Sequence, residues 1–193
     1  EIYKLLEYQS KYFFLSRPRR FGKSLLVSTL EEIFNGNKEL FKDFWIYDKI
    51  EFKKYPVIKI DFNNVDMSTP EKLSYHLEYQ LEKIAKNNNI IFDKEKDFKS
   101  KFEELIIELS KKEKVVILID EYDKAIIDHI DNIPIAVENR KILKTFYGTL
   151  KGMDAYLHFV FITGISKFGK VSIFSELNNL TDLTMNKNHG KII

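Results

Sequence analysis

Two short runs of this sequence carry groups suited to handling the phosphates of a nucleotide. The first is Gly22-Lys23-Ser24, preceded by Arg17, Arg19, Arg20 and Phe21 and followed by Leu25. At the start of a helix the backbone N–H groups point outward without intrahelical partners and carry a partial positive charge, so an anion is held by geometry the fold already provides. A lysine at that point adds a mobile charge for the outer phosphates, and a serine hydroxyl is a hard oxygen ligand for Mg²⁺. The tripeptide by itself is common, and an exposed glycine turn is the plain alternative. Its place after an apolar run and before a helical pattern is what gives it weight.

The second run is "VVILIDEYD", residues 115–123. Apolar, mostly β-branched residues ending in Asp120 and Glu121 put two carboxylates at the carboxyl end of a buried strand, the edge of an α/β sheet where ligands bind. Asp120 would hold Mg²⁺ through water, and Glu121 would polarise the water that attacks the γ-phosphate. The alternative is that both cap the next helix or solvate a strand end. A phosphate loop and an acidic strand end, with one strand between them in sequence, are what a Mg²⁺-nucleotide site needs from its two sides.

Composition narrows the choice. The net charge is +2, with 31 basic residues balanced by 29 acidic ones, so any function of positive charge must be local. Arginine is the local signal: of four in the chain, Arg17, Arg19 and Arg20 lie together and only Arg140 lies elsewhere. A nucleic-acid module built on that cluster is a competing reading, weakened by the absence of a second basic stripe. With no cysteine, disulfides and thiol chemistry are excluded, which fits the cytoplasm. No apolar stretch approaches the roughly 20 residues of a membrane helix, and no signal-peptide pattern opens the chain. The histidines at 76, 129, 158 and 189 lack ligand spacing, so no structural metal is expected.

The elements that must position these groups follow from periodicity. "YFFL" (12–15) reads as a strand, and from Lys23 the residues Leu25, Leu26, Leu30, Ile33 and Phe34 mark a helix stopped by Asn35-Gly36. "KELFKDFW" suggests a short helix, and "VIKIDF" (57–62) a second strand. Thr69-Pro70-Glu71 opens a helix with Leu73, Leu77, Leu81 and Ile84 on its buried stripe, and Asn87 to Asn89 close it. Phe98, Phe102, Leu105, Ile106 and Leu109 mark another helix. Strand 115–120, a helix from about Ala136 to Gly152, strand 158–163 and a weak strand at 182–185 complete the pattern. Strands alternating with helices imply a parallel sheet covered on both faces, a three-layer α/β domain. One domain over 1–193 is expected. Because the chain opens inside the helical "EIYKLLEY" and stops at "GKII", it reads as a piece of something longer.

The segments "FFLSRPRRFGKSLLVSTL", "LIDEYDKAI" and "FITGISKFGKVSIFSELNNLTDLT" resemble the AAA-ATPase-like family of prokaryotic P-loop proteins. In the general pattern G-x-x-x-x-G-K-[ST] the first glycine would fall at Arg17. That family's loop also lacks it, so "RPRRFGKS" is the most specific part of the match. The resemblance implies a P-loop NTPase fold with strand order 5-1-4-3-2 and ATP with Mg²⁺ as ligands. Under it, Arg19, Arg20, Phe21, Gly22, Lys23, Ser24 and Leu25 surround the phosphates, Ser24 and Asp120 serve the metal, and Glu121 is the catalytic base. Thr163, ending the strand beside the Asp-Glu strand, would sense the γ-phosphate, with Ser166 and Lys167 as second choices and an ordinary turn as the alternative. Arg140 would be an arginine finger toward a neighbour in a homo-oligomer, or simply a surface residue. Members commonly carry a C-terminal nuclease-like domain of the PD-(D/E)xK type, so an effector, and any action on DNA, would lie outside these residues. The readings are then ATP hydrolysis driving that effector, or a nucleotide-dependent switch with negligible turnover.

Overall fold

Three apolar runs, 12–16, 115–120 and 157–164, pair as central strands because their side chains are buried on both faces, which a sheet sandwiched between helices allows; the two edge strands are only partly buried. The computed structural model describes residues 2–63, 65–93, 95–167, 173, 174, 177 and 180–184. In chain order the elements are α1 (Ile2–Leu6), β1 (Tyr12–Ser16), α2 (Lys23–Phe34), β2 (Val57–Asp61), α3 (Pro70–Asn87) and α4 (Phe98–Ser110). Then come β3 (Val115–Asp120), α5 (Lys124–Ile127), α6 (Ile133–Gly152), β4 (Leu157–Gly164) and β5 (Thr181–Asp182). The sheet runs β2-β3-β4-β1-β5, and every pairing is parallel. This is the P-loop NTPase arrangement, in the order expected.

Alternation along β1 divides the core. Tyr12 and Phe14 enter one apolar cluster with Phe102, Phe146 and Tyr147 of α4 and α6, and Phe13 and Leu15 enter the other with Leu26, Val27 and Leu30 of α2. Each such buried side chain contributes roughly 1.5–3 kcal/mol. Parallel pairing also brings the carboxyl ends of β1, β3 and β4 to one edge: Asp61 is in register with Asp120, and Ser16 with Gly164.

Several boundaries differ from the sequence reading. Leu25 is 71% exposed rather than on the buried stripe of α2, which is carried by Leu26, Val27, Leu30, Ile33 and Phe34. Ile84 is only partly buried, and Ala85 takes the closing place in α3. "KELFKDFW" forms no single helix but falls into two 3₁₀ turns, Lys38–Phe41 and Trp45–Asp48. Helix α6 begins at Ile133 instead of near Ala136, because the Asn132 side chain accepts a hydrogen bond from the Ile135 amide and Pro134 suits the first turn. The fifth strand is Thr181–Asp182 rather than 182–185, and Met185 lies outside the described residues. The four-residue α5 had no clear signature in the sequence. Among the described residues, no helix is long and apolar enough to cross a membrane.

Candidate active site

Strand β1 does not stop at its last ladder residue: the Arg17 amide donates to the Gly164 carbonyl at 3.1 Å, carrying the chain one residue further along β4. Arg17 therefore needs no left-handed backbone, which explains how the loop dispenses with a glycine there. The turn comes later, at Arg20 (φ 66°) and Gly22 (φ 65°). Only Gly22 takes that conformation without steric cost. Gly22 also caps α2 with no side-chain hydrogen bond to the first-turn amides. Those amides, from the loop through Leu25, are the donors an anion would meet.

Lys23 is only 4% exposed. Its ammonium folds back over the loop and donates to the Pro18 carbonyl at 3.1 Å. Ser24 is exposed on the first turn of α2, Phe21 is half exposed, and Arg19 and Arg20 lie on the surface. Arg19 pairs at 3.7 Å with Asp128, just past α5. Arg17 keeps its Nε buried with no hydrogen-bond partner among the described residues.

Across from this loop, the end of β3 is tightly bonded. Asp120 is 2% exposed; its Oδ1 accepts from the Thr163 hydroxyl at 2.5 Å and its Oδ2 from Asn63 Nδ2 at 3.4 Å. The same Thr163 hydroxyl accepts from the Glu121 amide at 3.4 Å, and the Tyr122 amide donates to the Thr163 carbonyl at 2.9 Å. Thr163 thus ties the Asp-Glu pair to β4. Glu121 takes a left-handed φ of 56°, which turns its side chain away from the line of the strand. Burial, followed by the neighbouring charge of Asp120, raises its pKa above the ordinary value, while Lys23 and Lys124 pull in the opposite direction.

The helix-capping alternative for these carboxylates is not what the structure has. Asp123 is the residue before α5, and its carboxylate turns instead to the β4 loop, accepting from the amides of Ile165 (3.1 Å) and Ser166 (2.7 Å). Ser166 gives its carbonyl to the Tyr122 hydroxyl, and Lys167 pairs with Asp182. Arg140 is exposed on α6. Gly164 is required where it stands, because a Cβ there would run into the Tyr122 ring and come within 2.6 Å of Asp123 Oδ1.

Two contributors escaped the sequence reading. Asn63 links Asp61 (2.8 Å) to Asp120, and Asp123 fixes the loop after β4. The two carboxylates that Asn63 joins did leave a signal: "VIKID" and "VILID" end alike, and parallel neighbours that end alike place their carboxylates side by side. As a donor set, the Ser24 hydroxyl and the Asp120 carboxylate, whose oxygens each keep a lone pair beyond the bonds named, suit a hard cation that retains water, as Mg²⁺ does. A buried lysine resting on a neutral carbonyl and an arginine N–H without a partner suit an anion.

A family model described as predicted AAA-ATPase matches residues 2–174. The chain is also similar to an uncharacterized protein in the vnfD 5′ region of Azotobacter chroococcum mcd 1, 37% identical over 187 residues, which cover 95% of this chain and 36% of that protein. The chain therefore spans about a third of that relative's length. No solved structure matches.

Proposed function

Since the chain belongs to the AAA-ATPase-like family of predicted ATPases, we propose that it binds Mg-ATP across the edge formed by β1, β3 and β4 and hydrolyses it. The observation that carries this is topological: β1, which leads into the loop and Lys23, and β3, which ends at Asp120, both pair in parallel with β4, so the first turn of α2 and the acidic pair follow strands that end at the same edge of the sheet.

The amides from Arg19 to Leu25 and the ammonium of Lys23 receive the phosphates, Lys23 exchanging the Pro18 carbonyl for phosphate oxygen. Arg17 and Arg20 add charge at the loop. Ser24 and Asp120 would hold Mg²⁺, which when bound neutralises charge on the outer phosphates. Glu121 accepts a proton from the attacking water, a task favoured by the environment that raises its basicity. Thr163 reports on the γ-phosphate through the hydroxyl it shares with Asp120 and Glu121. The nucleotide state is passed to an effector elsewhere in a longer protein, a reading supported by the 36% share of the relative that this chain covers.

The test compares two variants by calorimetric titration and single-turnover hydrolysis. Lys23→Ala is expected to weaken Mg-ATP binding at least 100-fold. Glu121→Gln is expected to bind within a few-fold of the parent and to lose roughly 10²–10⁴ in rate. Undiminished hydrolysis by Glu121→Gln refutes the assignment of the base. Binding without turnover in the parent makes the domain a switch instead.

A further inference from the structure

We infer that the apolar groove running from the first turn of α2 to Trp45 receives the purine base of the bound nucleotide. This rests on the nucleotide reading above and adds to it the part of the ligand that the phosphate loop does not touch.

The first argument is continuity. Leu25 directly follows Ser24, is 71% exposed, and lines the groove together with Tyr3, Thr29, Glu32, Phe44 and Trp45. A nucleotide whose phosphates rest on the amides ending at Leu25 therefore has the groove beside its sugar.

The second is scale. From Leu25 to Glu32 is seven residues of helix, about 10 Å, close to the reach of a nucleoside from its 5′ oxygen to the far edge of its base. The groove encloses about 700 Å³, within the range of small-ligand sites.

Chemistry is the third. The lining is apolar and aromatic with few polar groups, which is how flat heterocycles are held. Trp45 is 67% exposed, with the Tyr3 ring packed against it at 5.4 Å and 88° and the Lys49 ammonium 5.6 Å from its centre. Phe44 is 64% exposed beside it. Aromatic side chains left in water at this density mark a place where something lands, and a base stacked on them removes that surface from solvent. At the far end, Glu32 spends one carboxylate oxygen on Asn37 Nδ2, at 2.5 Å, and its second oxygen is an acceptor suited to an exocyclic amine.

Trp45 is the chain's single tryptophan, so its emission reports on the groove alone. The experiment titrates the chain with Mg-ATP and with inorganic tripolyphosphate, following Trp45 fluorescence and calorimetric heat, in the parent, Trp45→Phe and Trp45→Ala. Expected is a change in Trp45 emission with ATP but not tripolyphosphate. Trp45→Ala should lose roughly ten-fold in ATP affinity with tripolyphosphate affinity unchanged, and Trp45→Phe should recover most of the loss. Because Trp45 is largely exposed, its truncation leaves the core intact, which circular dichroism checks. If both ligands bind the parent and Trp45→Ala treats them alike, the base lies elsewhere and the phosphate reading survives. If neither ligand binds the parent, the phosphate reading fails and takes this inference with it. Trp45 emission already shielded from quencher without nucleotide, in a longer form of the protein or at higher concentration, assigns the groove to a protein surface and overturns the inference.

Discussion

The two sides of the site are built on opposite plans. The loop from Pro18 to Phe21 is exposed, turns through a left-handed arginine and presents cations with few fixed partners, whereas the ends of β3 and β4 are buried and bonded to one another through Thr163, Asn63 and Asp123. On the proposed function, the loop side would be completed by the anion it receives, while the strand ends are already organised. If the proposed function holds, separation of this kind would put affinity on the loop and the rate on the strand ends, since preorganised groups contribute to the transition state without reorganising.

That division can be broken at the strand ends first. Thr163→Val removes the hydroxyl that joins Asp120 to the Glu121 amide. We expect roughly a 10–100-fold fall in turnover, from a loss of about 1–3 kcal/mol for a buried acceptor left without its donor, with ATP affinity within a few-fold of the parent and Thr163→Ser nearly normal. Equal losses in affinity and rate would merge the two sides into one.

Gly164→Ala comes next. The added methyl meets Tyr122 and Asp123 on the rigid side, so a cost of about 1–3 kcal/mol is expected. Thermal unfolding should show it as a midpoint lower by roughly 2–4 °C per kcal/mol.

The pH response sharpens the comparison further. Glu121 is raised above the ordinary glutamate value of about 4.3, first by burial and then by Asp120, so turnover should rise with pH through an apparent value above that and then level off. The sign for stability runs the other way. A carboxyl whose pKa is raised in the fold disfavours its ionised form there, so ionised Glu121 lowers stability above its folded pKa and costs nothing well below the unfolded one. Glu121→Gln should therefore be more stable than the parent at pH 7–8, in chemical denaturation, and no more stable near pH 3. On the loop side the smallest effect is expected from Arg20→Gly. Relief of the left-handed strain contributes up to about 1 kcal/mol, offset in part by the greater freedom of glycine when unfolded.

What sequence could and could not convey follows the same line between local and distant causes. β1 and β3 were legible because a strand buried on both faces has to be apolar throughout, and Lys23, Ser24, Asp120 and Glu121 stood out because each sits where such a run meets a helix or a loop. Leu25 was misjudged since periodicity records which residues are apolar, and a residue one step off the stripe points past the sheet into the groove instead. Asp123 and Asn63 were missed for another reason: their partners lie about 40 and 57 positions away, and only the sheet brings them together. The two 3₁₀ turns that flank Phe44, the second opening at Trp45, belong to the same class, because nothing in their spacing distinguishes them from one short helix.

The contact between the Lys23 ammonium and the Pro18 carbonyl has a further consequence. An ammonium sequestered from water with no acceptor would strain the empty domain, and the chain supplies one five residues upstream. The lysine has a resting berth, so the loop holds this buried charge without leaving it unpartnered. On the proposed function, an arriving phosphate would enter by substitution, displacing a weaker neutral acceptor, and its departure would be eased because the same berth could take the charge back.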